Sequence, residues 1–266
     1  MLGMTAARDT AERPVPLPAP ILKIYGERNT GTSYLRELIV QNFEVECLTG
    51  SVPRRMQRLF PSSERASDLY FRVTEARNLG WKHAVAPTPE RLARSRRDPN
   101  RIVFVTLSKN PYAWLLSLHR HPYHAALRPG RFADFLCEAW PTVGRENAPS
   151  AYPNPIVMWN QKNASYLALA DYAMTLHCRY EDLIRDPIQF LHDFSRKHAI
   201  PSRGPAFRNI TEATKRHDRG RTFEDYRDYY GNERWREDLD RECIRRINAE
   251  LDPEVMARFG YSFIEH

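Results

Sequence analysis

The sequence predicts an α/β domain in three layers: a mainly parallel sheet flanked by helices. Three observations carry that prediction. Ile21-Leu22-Lys23-Ile24-Tyr25 is a short apolar run broken by Gly26, and apolar residues then recur at helical spacing, at Leu35, Leu38, Ile39 and Phe43. Ile102 to Leu107 is a second such run, mostly β-branched or aromatic, ended by Asn110-Pro111, with a helix expected from Pro111 to about His119. Strand and helix patterns alternate along the chain, the order of βαβ units whose crossover helices cover a parallel sheet.

The remaining elements follow in order. Residues 1–20, rich in Pro and Ala, read as a disordered leader, and residues 21–266 as one domain. Val45 to Leu48 is a candidate strand. Ser51 to Asn78 has no assignable period. Leu79 to Val85 reads as a strand and Pro89 to Arg97 as a polar helix. Further helices are expected over Phe132–Trp140, Ile156–Ala170, Pro187–His198 and Trp235–Leu251, with a late strand over Ala173–Cys178.

Over 266 residues, 42% hydrophobic and 27% charged, the chain has the make-up of an ordinary globular enzyme. Lys and Arg number 40 against 33 Asp and Glu, a net charge of +7 that suits an anionic ligand: a nucleotide, a nucleic acid or an acidic glycan. No recognised nucleic-acid-binding motif occurs and the basic residues are dispersed, so nucleic acid is not the expected partner. Cys47, Cys137, Cys178 and Cys243 form no C-x-x-C pair and read as small buried hydrophobes in a reducing compartment. No apolar stretch approaches the ~18–20 residues of a membrane span, and the first residues lack the apolar core of a secretory signal. A cytoplasmic location is expected, which makes the sequons at Asn163 and Asn209 chance matches.

Gly26-Glu27-Arg28-Asn29-Thr30-Gly31-Thr32-Ser33 has the glycine spacing of the phosphate loop G-x-x-x-x-G-K-[ST]. Glycines let successive N–H groups converge on an anion, and the helix that follows adds its positive end. Thr32 stands where that motif has its lysine, and no acidic residue follows the strand at 102–107 to hold magnesium. Both features weigh against a nucleoside-triphosphate enzyme and towards a donor with one phosphate and a transferring group at its 5′ end. A purely structural turn, and a kinase with an altered loop, remain open.

After the second strand comes Ser108-Lys109-Asn110-Pro111, with Ser117 eight residues beyond Lys109. A cation at a strand's C-terminal end stands where open parallel sheets bind ligands, and Ser117 is about two helical turns on, so both can reach one phosphate.

These stretches resemble the sulfotransferase family that uses 3′-phosphoadenosine 5′-phosphosulfate. In that family a loop similar to K-S-G-T-T binds the 5′-phosphosulfate, and a strand ending in R-N-P with a serine eight residues on binds the 3′-phosphate. Here the corresponding runs are Arg28-Asn29-Thr30-Gly31-Thr32-Ser33 and Lys109-Asn110-Pro111 with Ser117. Arg179-Tyr180-Glu181-Asp182-Leu183 resembles the family's R-Y-E-D-L segment, and Met256 to Tyr261 its usual ending. Asn29 replaces the loop's lysine or arginine, and Lys109 keeps the charge of the family's arginine without its bidentate fork.

The resemblance implies a P-loop NTPase-like sulfotransferase architecture with no metal requirement. It implies a sulfuryl group moved to a hydroxyl or amine acceptor, and the aromatic and basic content leans to a carbohydrate. Arg28, Asn29, Thr30, Gly31, Thr32, Ser33, Lys109 and Ser117 would bind the donor, with Arg28 also supporting catalysis. His83, upstream of Lys109 like the family's K-x-H base, is the expected general base, with Glu27 in reserve.

Three other features bear on the site. His119-Arg120-His121-Pro122-Tyr123-His124 has no settled metal geometry and is expected to wall the acceptor pocket or lie at the surface. Lys215, Arg216 and Asp218-Arg219-Gly220-Arg221 form a basic loop, either a solvated charge run or a cover for the 3′-phosphate. Tyr226, Tyr229, Tyr230 and Trp235 are candidates for stacking on rings or for ordinary packing.

Overall fold

The computed structural model describes residues 20–60, 63–123, 130–198, 200–212 and 220–265. The expected leader lies outside them apart from Pro20, as do His124, the basic Lys215, Arg216 and Arg219, and Asp218.

The chain enters through strand β1 (Ile21–Tyr25) and helix α1 (Thr32–Asn42), then β2 (Glu46–Cys47), α2 (Arg54–Leu59), α3 (Glu64–Asn78) and α4 (Pro89–Ala93). β3 (Ile102–Ser108) leads into α5 (Pro111–Arg120), α6 (Phe132–Phe135) and a small ribbon of β4 (Trp140–Pro141) and β5 (Ala151–Tyr152). α7 (Pro155–Ala168), β6 (Thr175–Arg179), α8 (Tyr180–Arg185), α9 (Pro187–His198), α10 (Phe223–Tyr226), α11 (Arg241–Glu250) and α12 (Pro253–Arg258) complete it.

Among the described residues β1, β2, β3 and β6 form a parallel sheet in the order β2-β1-β3-β6. Alternate residues of the two central strands enter two separate cores. Leu22, Ile24, Val103, Val105 and Leu107 pack with the buried side chains of α1, α5 and α7. Ile21, Tyr25, Ile102 and Phe104 pack with Phe71, Trp81, Leu92 and Tyr166 on the opposite face. The period of two along a strand thus makes the middle layer of three, as the sequence predicts.

The topology locates a crevice. The chain leaves β1 for β2 on one side, then crosses back to β3 on the other, so the strand order reverses between β1 and β3. Outside the C-terminal ends of strands at such a switch point is where open sheets take ligands. The register aligns Tyr25 with Thr106 and Ser108 with Arg179, so the three strand ends open onto one edge.

Several expected elements differ. Residues 79–85 form no strand: Leu79 and Gly80 hold φ of 59° and 79°, left-handed values that end α3 and cannot extend. Their apolar pattern reflects Leu79, Trp81 and Ala84 packing under the sheet from a turn. The helix expected over 132–140 stops at Phe135, because Trp140 pairs with Tyr152 in the ribbon. The one expected over 235–251 begins at Arg241, where Asp240 caps it by accepting from Cys243 N at 2.7 Å. The helix expected over 89–97 ends at Ala93. α2 and α3 escape a periodicity reading because α2 buries none of its residues and α3 only Phe71 and Asn78. Of the cysteines, Cys178 and Cys243 are buried, Cys47 is half-buried, and Cys137 is exposed, against expectation.

Candidate functional site

Two glycines set the loop after β1. A Cβ at Gly26 would lie 2.6 Å from Leu107 O, so only glycine lets β1 leave against β3. Gly31 has φ +87°, and a Cβ there would lie 2.6 Å from the Tyr180 ring. Between them the turn closes on Glu27: Thr30 N and Oγ1 both donate to Glu27 O, at 3.2 and 2.6 Å, and Arg28 N donates to Glu27 Oε1 at 2.7 Å. Gly31 then starts α1 without a side-chain cap, and the first intrahelical bond is Leu35 N to Gly31 O. The helix's opening N–H groups, those of Thr32 and Ser33 among them, lack intrahelical acceptors and carry its positive end. Lys82 Nζ donates to Ser33 Oγ at 2.9 Å and brings an ammonium to this first turn.

Lys109 and Ser117 stand across the crevice. Lys109 is buried just beyond β3, and its Nζ donates to Ser117 Oγ at 3.1 Å and to Asn29 O at 3.4 Å. The Tyr230 ring centre lies 3.3 Å from this ammonium and that of Tyr180 4.8 Å, a cation–π cage on its apolar side. Trp159 Nε1 holds Lys109 O at 3.1 Å, and Glu181 accepts from Asn110 N at 2.9 Å and from Tyr261 OH at 3.0 Å. Burial raises the Glu181 carboxyl above its ordinary range against these bonds. Asn29 ties the elements together, donating to Ser117 O and His121 O at 3.3 Å while accepting from Tyr123 OH at 2.9 Å.

Behind the loop lies a buried charge cluster. Lys162 Nζ bonds Glu27 Oε2, Glu146 Oε2 at 2.5 Å and His83 O at 2.8 Å. Glu146 also faces Arg28 at 3.5 Å. The Arg28 guanidinium lies against the Trp81 ring, 4.6 Å from its centre. Two cations and two carboxylates balance here, so Glu27 is held by Lys162, and Arg28 is compensated by Glu146 rather than offered alone to the crevice.

His83 is half-buried on the same loop edge. Its Nδ1 lies 2.5 Å from Gly26 O; a carbonyl only accepts, so Nδ1 carries the proton and Nε2 is the bare nitrogen. Burial first, then the Lys82 and Arg28 charges, hold the imidazole well below its usual range, outweighing the Gly26 bond. The arrangement is a neutral, oriented base.

A cavity of about 100 Å³ opens between the glycine loop and Lys109, reached by Asn29, Gly31, Lys109, Ser117 and, from the far side, Arg221 and Tyr226. Tyr34 and Phe223 stack within it with ring centres 6.0 Å apart. Of the aromatics expected to stack on a ligand, Tyr226 and Tyr230 line the cavity. Trp235 is fully buried against Tyr112, and Tyr229 binds Asp238. Arg221 is the described part of the basic loop that reaches the site. His121 lines the cavity, whereas His119 bonds Gly130 O at 3.1 Å. Among the described residues no cluster of three His, Cys, Asp or Glu is placed to hold a metal.

Arg28, Asn29, Thr30, Gly31, Thr32, Ser33, His83, Lys109 and Ser117, the residues expected to form the site, lie together at one edge of the sheet. Lys162 and Glu146 are not among the expected site residues. Lys162 carried a signal: it falls on the buried stripe of α7 beside Trp159, Asn163 and Tyr166, where a lysine needs a partner. Lys82, which the sequence pattern does not single out, contacts the first turn of α1 through Ser33.

No protein-family model matches the chain, and no curated protein does. Among solved structures the chain is similar to the sulfotransferase domain of the Synechococcus PCC 7002 olefin synthase, at 15% identity over 87% of this chain and 94% of that one, with a TM-score of 0.44. It is also similar to a sulfotransferase from Alicyclobacillus acidocaldarius, at 14% identity over 92% and 98%, again with a TM-score of 0.44. No helix among the described residues is long and apolar enough to cross a membrane.

Proposed function

We propose that the protein transfers a sulfuryl group from 3′-phosphoadenosine 5′-phosphosulfate to a hydroxyl or amine acceptor. The observation that carries this reading is the Lys109–Ser117 pair, 3.1 Å apart, sharing one cavity with the glycine loop at the strand switch. Two anion-binding elements on one cavity suit a nucleotide with a 5′ anion and a separate ribose phosphate. The donor set also fits chemically: an ammonium and a hydroxyl for one phosphate, and helix N–H groups with Lys82 for the other.

In this reading the loop orients the 5′-phosphosulfate for in-line attack. The acceptor oxygen or nitrogen bonds to sulfur as the bond from sulfur to the 5′-phosphate oxygen breaks, leaving 3′,5′-adenosine bisphosphate. The N–H groups of Gly31, Thr32 and Ser33, with Lys82, stabilise charge on the departing oxygen. His83 Nε2 accepts the acceptor's proton. Arg28 supports the site through its contacts with Trp81 and Glu146. Phe223 and Tyr226 on the cavity wall are the rings placed to face the adenine. The acceptor is a separate question, with a carbohydrate favoured by the aromatic and basic surroundings.

Calorimetry tests the reading. Binding of 3′,5′-adenosine bisphosphate without metal, and weaker binding of ATP with Mg²⁺, is the expected result. Preference for ATP with Mg²⁺ would mean a kinase instead.

A further inference from the structure

The surface of α2 and α3 lies apart from the cavity, and among the described residues nothing covers it. Four of the nine large hydrophobic residues exposed on the described chain fall within it: Leu59, Phe60, Leu69 and Val73, at 72, 55, 51 and 72% exposure. The face is also strongly basic. Arg54, Arg55, Arg58, Arg65, Arg72 and Arg77 are all exposed, and no ion pair among the described residues uses any of them. The segment's acids are drawn elsewhere: Glu64 and Asp68 bind Arg145, at 2.5 and 2.8 Å, and Glu75 binds Arg91.

The two kinds of residue are interleaved. Arg65, Leu69, Val73 and Arg77 follow one another at four-residue spacing, a single line of about 18 Å along α3. Leu59 and Phe60 end α2 beside the start of α3, since Ser63 N donates to Phe60 O at 3.4 Å and Phe60 shares a groove with Ala66 and Ser67.

We propose that this face docks the protein on an anionic lipid bilayer. Its arginines meet the headgroup phosphates, and Leu59, Phe60, Leu69 and Val73 enter the interfacial layer. The charge is complementary to such a surface, and guanidinium stems can lie along the interface while their heads stay with phosphate. A second copy of the same face does not fit, because it would oppose six arginines to six. A nucleic acid would use the arginines but leave the four apolar side chains in water. The helices are too short to span the bilayer, so contact is at its surface.

The full-length protein is sedimented with phosphatidylcholine vesicles with and without phosphatidylserine. Binding is expected only with phosphatidylserine, and it weakens as salt rises. The variant Arg54→Glu/Arg58→Glu/Arg72→Glu should lose at least roughly fivefold in partition per arginine. Phe60→Ser/Leu69→Ser/Val73→Ser should lose about tenfold with its charge unchanged. All six positions are exposed, and an unchanged thermal melt checks the fold. No binding to phosphatidylserine vesicles at low salt overturns the proposal, as does wild-type binding by either variant. RNA binding through the same arginines without vesicle binding overturns it in favour of a polyanion site.

Discussion

Lys162 Nζ lies 2.5 Å from Glu146 Oε2, with both side chains sealed from solvent. Through Lys162 the ion pair also holds Glu27 at the base of the glycine loop and the backbone of His83, and through Glu146 it holds Arg28. Removing the ammonium leaves two buried carboxylates facing each other. Lys162→Met should therefore destabilise the fold by about 3–5 kcal/mol in chemical denaturation, because breaking one side of a buried pair strands the other. A loss below about 1 kcal/mol would mean that the site is wet and the cluster loosely held.

Lys109→Met tests the proposed ribose-phosphate site against a generic anion site. Lys109→Met should weaken 3′,5′-adenosine bisphosphate by roughly 10–150-fold, the worth of a charged hydrogen bond. Binding of 5′-adenosine monophosphate should stay within about twofold. Ser117→Ala should weaken the bisphosphate less, since it removes a neutral partner. Equal losses for both nucleotides would assign Lys109 to the loop's phosphate instead.

His83 has a pH signature. Its depressed pKa keeps Nε2 unprotonated below the ordinary 6.5, so the acid limb of kcat should fall below that value. His83→Asn should lower kcat by about 10²–10⁴-fold with bisphosphate affinity unchanged. A variant with full turnover rules His83 out as the base.

Gly31→Ala tests the loop's shape. Its φ of +87° and the Tyr180 ring 2.6 Å from the added carbon oppose the substitution together. The expected cost is about 1–3 kcal/mol in thermal or chemical unfolding, with nucleotide binding lost if the loop shifts to relieve the contact. Unaltered stability would show that the turn tolerates a right-handed alternative.

Lys23 gives a stability signature on the far face of the sheet. Its fully buried ammonium donates to Asn78 O at 2.8 Å and Gly80 O at 2.5 Å, yet burial and then the Lys82 charge lower its pKa to about 7 from 10.5. Between those values the unfolded chain binds more protons, so folding stability should rise with pH by at most about 1.4 kcal/mol per unit. Burial raises the Cys47, Cys178 and Cys243 thiols, which gives an opposite slope in this range, so denaturation at pH 7 and at pH 9.5 should show the Lys23 contribution as a more positive change in the wild type than in Lys23→Met. The same pH dependence in both proteins would place the Lys23 pKa near its ordinary value.

The central strands were legible because Ile21–Tyr25 and Ile102–Ser108 are short apolar runs ended by turn residues. The loop was legible because glycine spacing is a local property. Residues 79–85 misread as a strand because alternating burial arises in a turn as readily as in a strand when its carbonyls are held from below, here by Lys23 and Tyr25. α2 and α3 left no period because they bury almost nothing.

By itself the sequence determined the layered α/β class, the glycine turn, and the cation and hydroxyl at the end of the third strand. These depend on neighbours within a dozen residues, where helix and strand periodicities act. Only the tertiary structure decided that β1 and β3 adjoin at the strand switch, that Lys82 bonds Ser33 in the first turn of α1, and that Lys162 balances Glu27 and Glu146. Lys82 and Ser33 lie 49 positions apart, and Lys162 lies 135 positions from Glu27 and 16 from Glu146. A buried charge's partner is set by which side chains the folded core brings within a few ångströms of it, and no local pattern encodes that distance.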